Sequence, residues 1–213
     1  MKAKILVFDF DGTIADTFQV MVEISNLLAA EFNFKKIEPH EVKNYKDKTS
    51  IEMLKLLKVP TLKVPRIATR AKNELNKKIS SIKPIEGLKE ILREIKNLGY
   101  EMGILSSNSL ENVNKFLKAQ DINLFDFVLT SSRFWSKNHG LQKLIRQAGY
   151  CAKDILYIGD ETRDIEAARK SGIQVAAVTW GYNSSKVLQS FQPDYVLHSP
   201  QELLKLCLGN FLK

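Results

Sequence analysis

Ile5-Leu6-Val7-Phe8-Asp9-Phe10-Asp11-Gly12-Thr13 is the stretch that decides the fold. A short apolar run closed by an acid reads as a buried strand, Lys4–Phe10, that hands the chain over to polar residues. Asp9 and Asp11 stand two positions apart, so in extended chain they lie on the same side. Like charges held that close repel, and a cation or a shared proton is expected beside them.

Working outward, apolar runs alternate with helical patterns. Ile85–Leu98 carries Leu88, Ile91, Leu92, Ile95 and Leu98 on one stripe and closes on Gly99, which suits a left-handed cap. Tyr100–Ser106 reads as a strand and Leu110–Ala119 as a helix. Phe127–Thr130, Gly140–Ala148, Ile155–Ile158, Asp164–Lys170 and Gln174–Val178 continue the alternation, and Tyr195–Leu197 and Glu202–Leu208 finish it. Short apolar strands separated by helices imply an α/β fold, a doubly wound parallel sheet covered on both faces.

One segment breaks this rhythm. Phe18–Phe32, Ile51–Leu57 and Val64–Ile79 all read as helical, punctuated by Pro39, Pro60 and Pro65. From Thr17 to Lys83 there are 14 Lys/Arg against 7 Asp/Glu, while the remainder holds 18 against 17. The whole net charge of +8 is therefore almost entirely local, which marks residues 17–83 as a unit separate from 1–16 and 84–213.

A doubly wound sheet presents ligand-binding groups at the carboxyl ends of its strands. The second strand ends in Ser106-Ser107-Asn108, and past the third comes Lys137. The fourth ends in Gly159-Asp160-Glu161-Thr162-Arg163-Asp164, with Asp160 and Asp164 one helical turn apart. Hard cations prefer oxygen ligands, and Mg²⁺ takes one or two carboxylates with substrate phosphate oxygens. Phosphoryl oxygens call for hydroxyl, N–H and ammonium donors. The inventory suits metal-assisted phosphoryl transfer with a carboxylate nucleophile.

With these residues in order, the chain resembles the haloacid dehalogenase-like phosphatases over nearly its whole length. Asp9-Phe10-Asp11-Gly12-Thr13 matches the family's DxDGT, Ser107 its Ser/Thr after the second strand, Lys137 its lysine, and Gly159–Asp164 its GDxxxD. The resemblance implies a Rossmann-like core with a small all-helical cap, residues 17–83, inserted after the first strand. It implies that Asp9 attacks phosphorus and that Asp11 protonates the leaving alcohol and then activates water. Lys137 and Ser107 would hold the phosphoryl group, with Thr13, Asn108 and Lys48 also expected at the substrate. Mg²⁺ would sit on Asp9, Asp160, Asp164 and the backbone carbonyl of Asp11. Ser106 is the alternative hydroxyl at the second motif. The third motif reads Lys137-Asn138 where the family often has Lys-Pro, which keeps Lys143 as the alternative lysine.

Asn44–Thr49 is polar and flanked by helices, and is expected to dip toward substrate through Lys46 and Lys48. Trp180-Gly181-Tyr182-Asn183 follows the fifth strand and either borders the site or only turns the chain. Asp16 and Thr17 read as turn and helix-start residues. Mutase relatives carry a histidine ten positions after the second Asp, where this chain has Met21. Hydrolysis is thereby favoured, and the cap resembles that of the phosphoglycolate phosphatases, with a sugar phosphate or nucleotide as other substrate classes. The expected partner is a small phosphorylated metabolite and the expected state a monomer or homodimer. A catalytically idle relative, serving as a partner-binding or regulatory module, is the reading from another class.

Other classes are excluded. At 213 residues, 44% apolar and 26% charged, the chain is neither disordered nor low-complexity. Met1-Lys2-Ala3-Lys4 imitates the basic start of a signal peptide, yet Asp9 and Asp11 interrupt its apolar segment, so a cytoplasmic protein is expected. No apolar stretch approaches the ~20 residues of a membrane span. The basic residues are scattered and no nucleic-acid-binding motif appears, so no nucleic acid is expected. Neither G-x-G-x-x-G nor G-x-x-x-x-G-K-[ST] occurs. Cys151 and Cys207 make no metal spacing and read as reduced, buried thiols, and His40, His139 and His198 read as surface or structural.

Overall fold

The computed structural model describes residues 5–130, 137–148 and 150–209. The apolar run becomes β1 (Ile5–Phe8), and its position explains why all four residues are apolar. β1 is an inner strand of a six-stranded parallel sheet of order β3-β2-β1-β4-β5-β6, buried on both faces. Its partners are β2 (Glu101–Ser106) on one side and β4 (Ile155–Gly159) on the other, in registers Ile5↔Glu101 and Ile5↔Ile155. β3 (Phe127–Thr130) continues one edge, and β5 (Gln174–Val178) and β6 (Tyr195–Leu197) the other.

The two-residue period of a strand divides the core into two layers. Leu6 and Phe8, with Met102, Ile104, Leu156 and Ile158, face α5 (Leu88–Asn97), α6 (Leu110–Ala119) and α10 (Pro200–Leu208). Ile5 and Val7, with Leu105, Ile155 and Tyr157, face α7 (Lys137–Ala148), α8 (Thr162–Lys170) and α9 (Ser185–Ser190). Gly99 adopts φ +85°, the left-handed cap expected of it. α5 starts three residues later than its apolar pattern, because Gly87 at φ +73° holds the preceding turn outside the helix.

Between β1 and α5 the chain is helical throughout its regular elements: α1 (Phe18–Phe32), α2 (Val42–Tyr45), α3 (Ser50–Leu56) and α4 (Val64–Lys78), with single 3₁₀ turns between them. α1 packs against α4. Ile24, Leu28 and Phe32 of α1 and Leu75 of α4 join the main core, whereas Ile37, Leu57 and Val59 form a small cluster of their own. The short helices α2 and α9 have no counterpart in the sequence pattern, being too brief for periodicity to register. α2 takes in Asn44 and Tyr45, leaving Lys46–Thr49 as loop.

Cys151 corrects an expectation: it is exposed, standing before a 3₁₀ turn that leads into β4, and only Cys207 is a buried thiol. His40, His139 and His198 are all exposed. Among the described residues no helix is long and apolar enough to cross a membrane. The basic tetrapeptide Met1–Lys4 lies outside the described residues.

Because β1 is flanked by β2 and β4, the sheet's connections run outward in opposite directions from this point. That is where a doubly wound sheet opens a crevice at its carboxyl edge. The residues following β1, β2 and β4 converge there.

Candidate active site

The turn after β1 is built around a glycine. Gly12 has φ +76° and donates its N–H to the Ala15 carbonyl at 2.9 Å. A Cβ at Gly12 would lie 2.3 Å from Asp160 Oδ2, and one at Gly181 would lie 2.2 Å from the same atom. Two glycines from separate loops thus make the slot that admits the Asp160 carboxylate. Within it, Oδ1 accepts from Thr13 Oγ1 at 2.7 Å and Oδ2 from the Tyr182 N–H at 2.7 Å. Trp180 Nε1 donates to the Thr13 carbonyl at 3.2 Å, tying the loop after β5 to the turn after β1.

Lys137, at the head of α7, is buried between two acids. Its ammonium donates to Asp9 Oδ2 and, at 2.5 Å, to Asp164 Oδ1. Asp9 Oδ1 accepts the Phe10 N–H at 2.7 Å, and Asp164 Oδ2 accepts the Glu161 N–H at 3.0 Å as part of the capping box of α8. Burial raises the Asp9 carboxyl to about 7 against the pull of Lys137. Burial, with Asp9, Glu161 and Asp164 close by, pushes Asp160 well above the carboxylate range. Burial alone would lower the Lys137 ammonium, but Asp164 and Asp9 outweigh it and hold the group above its ordinary value.

One carboxylate oxygen from each of Asp9, Asp160 and Asp164 can be chosen so that all lie within 4.8 Å of one another. Counting Glu161, four acids face two cations here, Lys137 and Arg163, and Arg163 is committed to Glu161. With all four acids ionised, the excess of two negative charges on hard oxygen donors is what a divalent cation such as Mg²⁺ would balance. The residues present fit the ion.

Asp11 stands beside this cluster rather than in it. Its side chain opens onto a cavity of about 240 Å³, shared with Ser107, Asn108 and Arg163. Asn108 Nδ2 donates to both Asp11 oxygens, at 3.2 and 3.0 Å. Asn108 Oδ1 accepts from the Ser109 N–H and from Asn112 Nδ2, so the amide has one consistent orientation. Desolvation raises the Asp11 carboxyl, opposed first by Asn108 and then by a hydrogen bond from Thr17. A carboxyl that keeps its proton more readily than usual is suited to donating one.

Asp9, Asp160, Asp164 and Lys137 therefore meet, with Asp11, Ser107 and Asn108 adjoining them. Ser106 is fully buried and its Oγ accepts the Asn108 N–H at 2.9 Å, which leaves Ser107 as the hydroxyl residue that lines the cavity. Lys143 is exposed on α7, while Lys137 is buried in the cluster.

Two expected substrate contacts are placed elsewhere. Thr13 is fully buried and turned onto Asp160, because the Gly12 turn points it back beneath the carboxylate. Lys48 lines a neighbouring cavity with Phe18, Val22, Tyr45 and Met53, which shares Glu161 and Tyr182 with the one at Asp11. Lys46 is likewise engaged, donating to the Gly181 carbonyl at 2.8 Å and lying 4.3 Å from the Phe18 ring centroid.

The sequence reading overlooked Thr17, whose hydroxyl meets Tyr182 Oη at 3.0 Å as well as Asp11. It also overlooked Tyr157 beneath Lys137 and Lys72 in the cavity wall. Lys72 alone left a trace: it shares a helical face with Ala68, Ala71 and Leu75, where a charge is out of place. Trp180–Asn183 does border the site. Met21 lines the Asp11 cavity at the position where mutase relatives carry histidine.

A family model described as haloacid dehalogenase-like hydrolase matches residues 6–178. A phosphoglycolate phosphatase from Synechococcus elongatus is 31% identical, over 94% of this chain and 95% of that protein. Pyrophosphatase PpaX from Bacillus mycoides is 24% identical, covering 97% of each chain. A crystal structure of a predicted phosphatase from Clostridium acetobutylicum superposes with a TM-score of 0.82 at 18% identity, covering 97% of this chain and 99% of that one, a likeness of fold.

Proposed function

The chain belongs to the haloacid dehalogenase-like hydrolases, in their phosphatase branch, and from that premise we propose that it hydrolyses a small phosphate monoester through an aspartyl-phosphate at Asp9. The observation that carries this reading is the pairing of Asp9 with Lys137 beside a second, separately held acid, Asp11.

Asp9 is the nucleophile. Its Oδ1 is anchored by the Phe10 N–H and its Oδ2 by Lys137, so the carboxylate cannot swing away from an incoming phosphorus. Lys137 bridges Asp9 and Asp164, and its remaining N–H can reach a phosphoryl oxygen; Ser107 supplies a hydroxyl from the wall of the Asp11 cavity. Asp11, oriented by Asn108, donates its proton to the departing alcohol oxygen and afterwards takes one from the water that cleaves the acyl phosphate. Asp9 and Asp160 would hold Mg²⁺, with Asp164 at their side, and the ion would neutralise phosphoryl charge and favour in-line attack. Residues 17–83 act as a cap over the crevice and exclude water from the reaction. The relatives' names make phosphoglycolate the first substrate to try. We place the protein in the cytoplasm.

The test is turnover of p-nitrophenyl phosphate and of phosphoglycolate with Mg²⁺, after chelation, and in Asp9→Asn. Chelation and the substitution should each lower kcat by a factor of about 10³ or more. Activity that survives both sinks the mechanism. Absence of turnover on any phosphate ester favours a binding module instead.

A further inference from the structure

The helix that walls the Asp11 cavity presents one odd side chain. Ala68, Ala71, Lys72 and Leu75 of α4 follow at helical spacing and all line the cavity, together with Met21 of α1. Three small or apolar residues are expected on such a face; a lysine is not.

The other cations of α4 all have partners. Arg66 lies over the Phe32 ring at 5.8 Å from its centroid, Arg70 pairs with Glu31 and Glu74, Lys77 with Glu74, and Lys78 with Glu23. Lys72 is half-buried and, among the described residues, makes no ion pair. Burial pulls its ammonium below the ordinary lysine value, and Asp11 is the charge that pulls it back. A partly desolvated ammonium with no carboxylate of its own stabilises the cavity only when an anion enters.

The chemistry of the site says which part of a substrate that anion occupies. The phosphoryl group is claimed by Asp9, Lys137 and Ser107, and the leaving oxygen by Asp11. What remains for Lys72, which shares the cavity with Asp11, is the far end of the leaving group. At about 240 Å³ the cavity is smaller than the 300–1,000 Å³ typical of drug-sized ligands, which suits a short leaving group.

We propose that Lys72 is a specificity-determining residue that pairs with a second anionic group on the leaving side of the substrate. The enzyme then selects short phosphate compounds carrying a carboxylate or a further phosphate over neutral alkyl phosphates of the same size. This rests on the phosphatase reading above and adds the identity of the group that chooses the substrate. Met21, Ala68, Ala71 and Leu75 make the wall around Lys72 apolar, while Asp11, Asn108, Glu161 and Arg163 supply the polar part of the cavity lining.

The experiment compares wild type, Lys72→Met and Lys72→Arg on ethyl phosphate, 2-phosphoglycolate and pyrophosphate with Mg²⁺. In Lys72→Met, kcat/KM on at least one doubly anionic substrate should fall about tenfold or more, chiefly through KM. The fall on ethyl phosphate should be several-fold smaller, and Lys72→Arg should recover most of the preference. A selective loss on phosphoglycolate identifies a carboxylate as the second anion, and one on pyrophosphate a phosphate. Equal losses on all three substrates overturn the role of Lys72, as does a wild-type enzyme that hydrolyses only ethyl phosphate. A wild type that hydrolyses none of them overturns the phosphatase reading as well, so the two failures are distinct.

Discussion

Thr13 illustrates how a single residue's task depends on a few degrees of backbone. By sequence it follows the two acids Asp9 and Asp11 and looks available to substrate. The left-handed turn at Gly12 instead sends its hydroxyl to Asp160 Oδ1 at 2.7 Å, with no solvent exposure at all. A hydroxyl that orients a metal-binding carboxylate governs metal affinity more than the chemical step. Thr13→Val should therefore raise the Mg²⁺ concentration for half-maximal activity by about tenfold or more, with kcat at saturating Mg²⁺ falling much less. A Mg²⁺ titration of initial rates measures it; an unchanged half-saturation point would mean that Thr13 does not tune the site. The acids themselves were readable from sequence, because spacing along a strand exit carries their geometry. The hydrogen bonds that set Asn108 and Thr17 around Asp11 were not, since each joins residues far apart in the chain.

At the scale of elements, the sheet depends on a close approach that one missing side chain permits. Gly103 of β2 is paired with Phe127 of β3, and a Cβ there would come within 2.1 Å of the Phe127 ring. β3 is an edge strand, so its half-buried ring uses the flat glycine surface as its seat. Gly103→Ala should destabilise the protein by about 1–3 kcal/mol through overpacking. Denaturant unfolding reads this, and an unchanged midpoint would show that the edge ring moves aside freely. Strand and helix identities were mostly legible, because buried parallel strands are continuous apolar runs and helices such as α5 repeat their stripe. Boundaries shifted where glycine geometry intervened, as at Gly87.

Over the whole molecule, the insert is fastened to the sheet's carboxyl edge by Asn183. Its Oδ1 accepts the Thr162 N–H at 3.0 Å, and its Nδ2 donates to the Lys48 carbonyl at 2.8 Å and the Lys46 carbonyl at 3.3 Å. The Ser184 N–H donates to Lys46 as well, at 2.8 Å, and Ser50 Oγ to Glu161 at 2.9 Å. Asn183→Ala removes the side-chain clasp while leaving the backbone contacts, so the loop 46–49 should release more often. Hydrogen exchange of that loop should speed up several-fold, and KM should rise under the proposal that residues 17–83 close over the substrate. Exchange rates identical to wild type would show that the clasp contributes nothing to closure.

What the sequence determined by itself was the alternation of strands and helices, the helical character of the insert and the list of acids, hydroxyls and lysine at strand ends. Those follow from local periodicity and from a fold rule that maps strand ends onto a ligand crevice. Only the tertiary structure decided that Lys137 bridges Asp9 and Asp164, that Thr13 serves Asp160, that Lys48 lines the cavity next to the one at Asp11 and that Lys72 lines the Asp11 cavity itself. The reason is physical: which charges meet depends on strand order and on how α4 lies across the sheet edge, and neither is encoded in the spacing of residues along the chain.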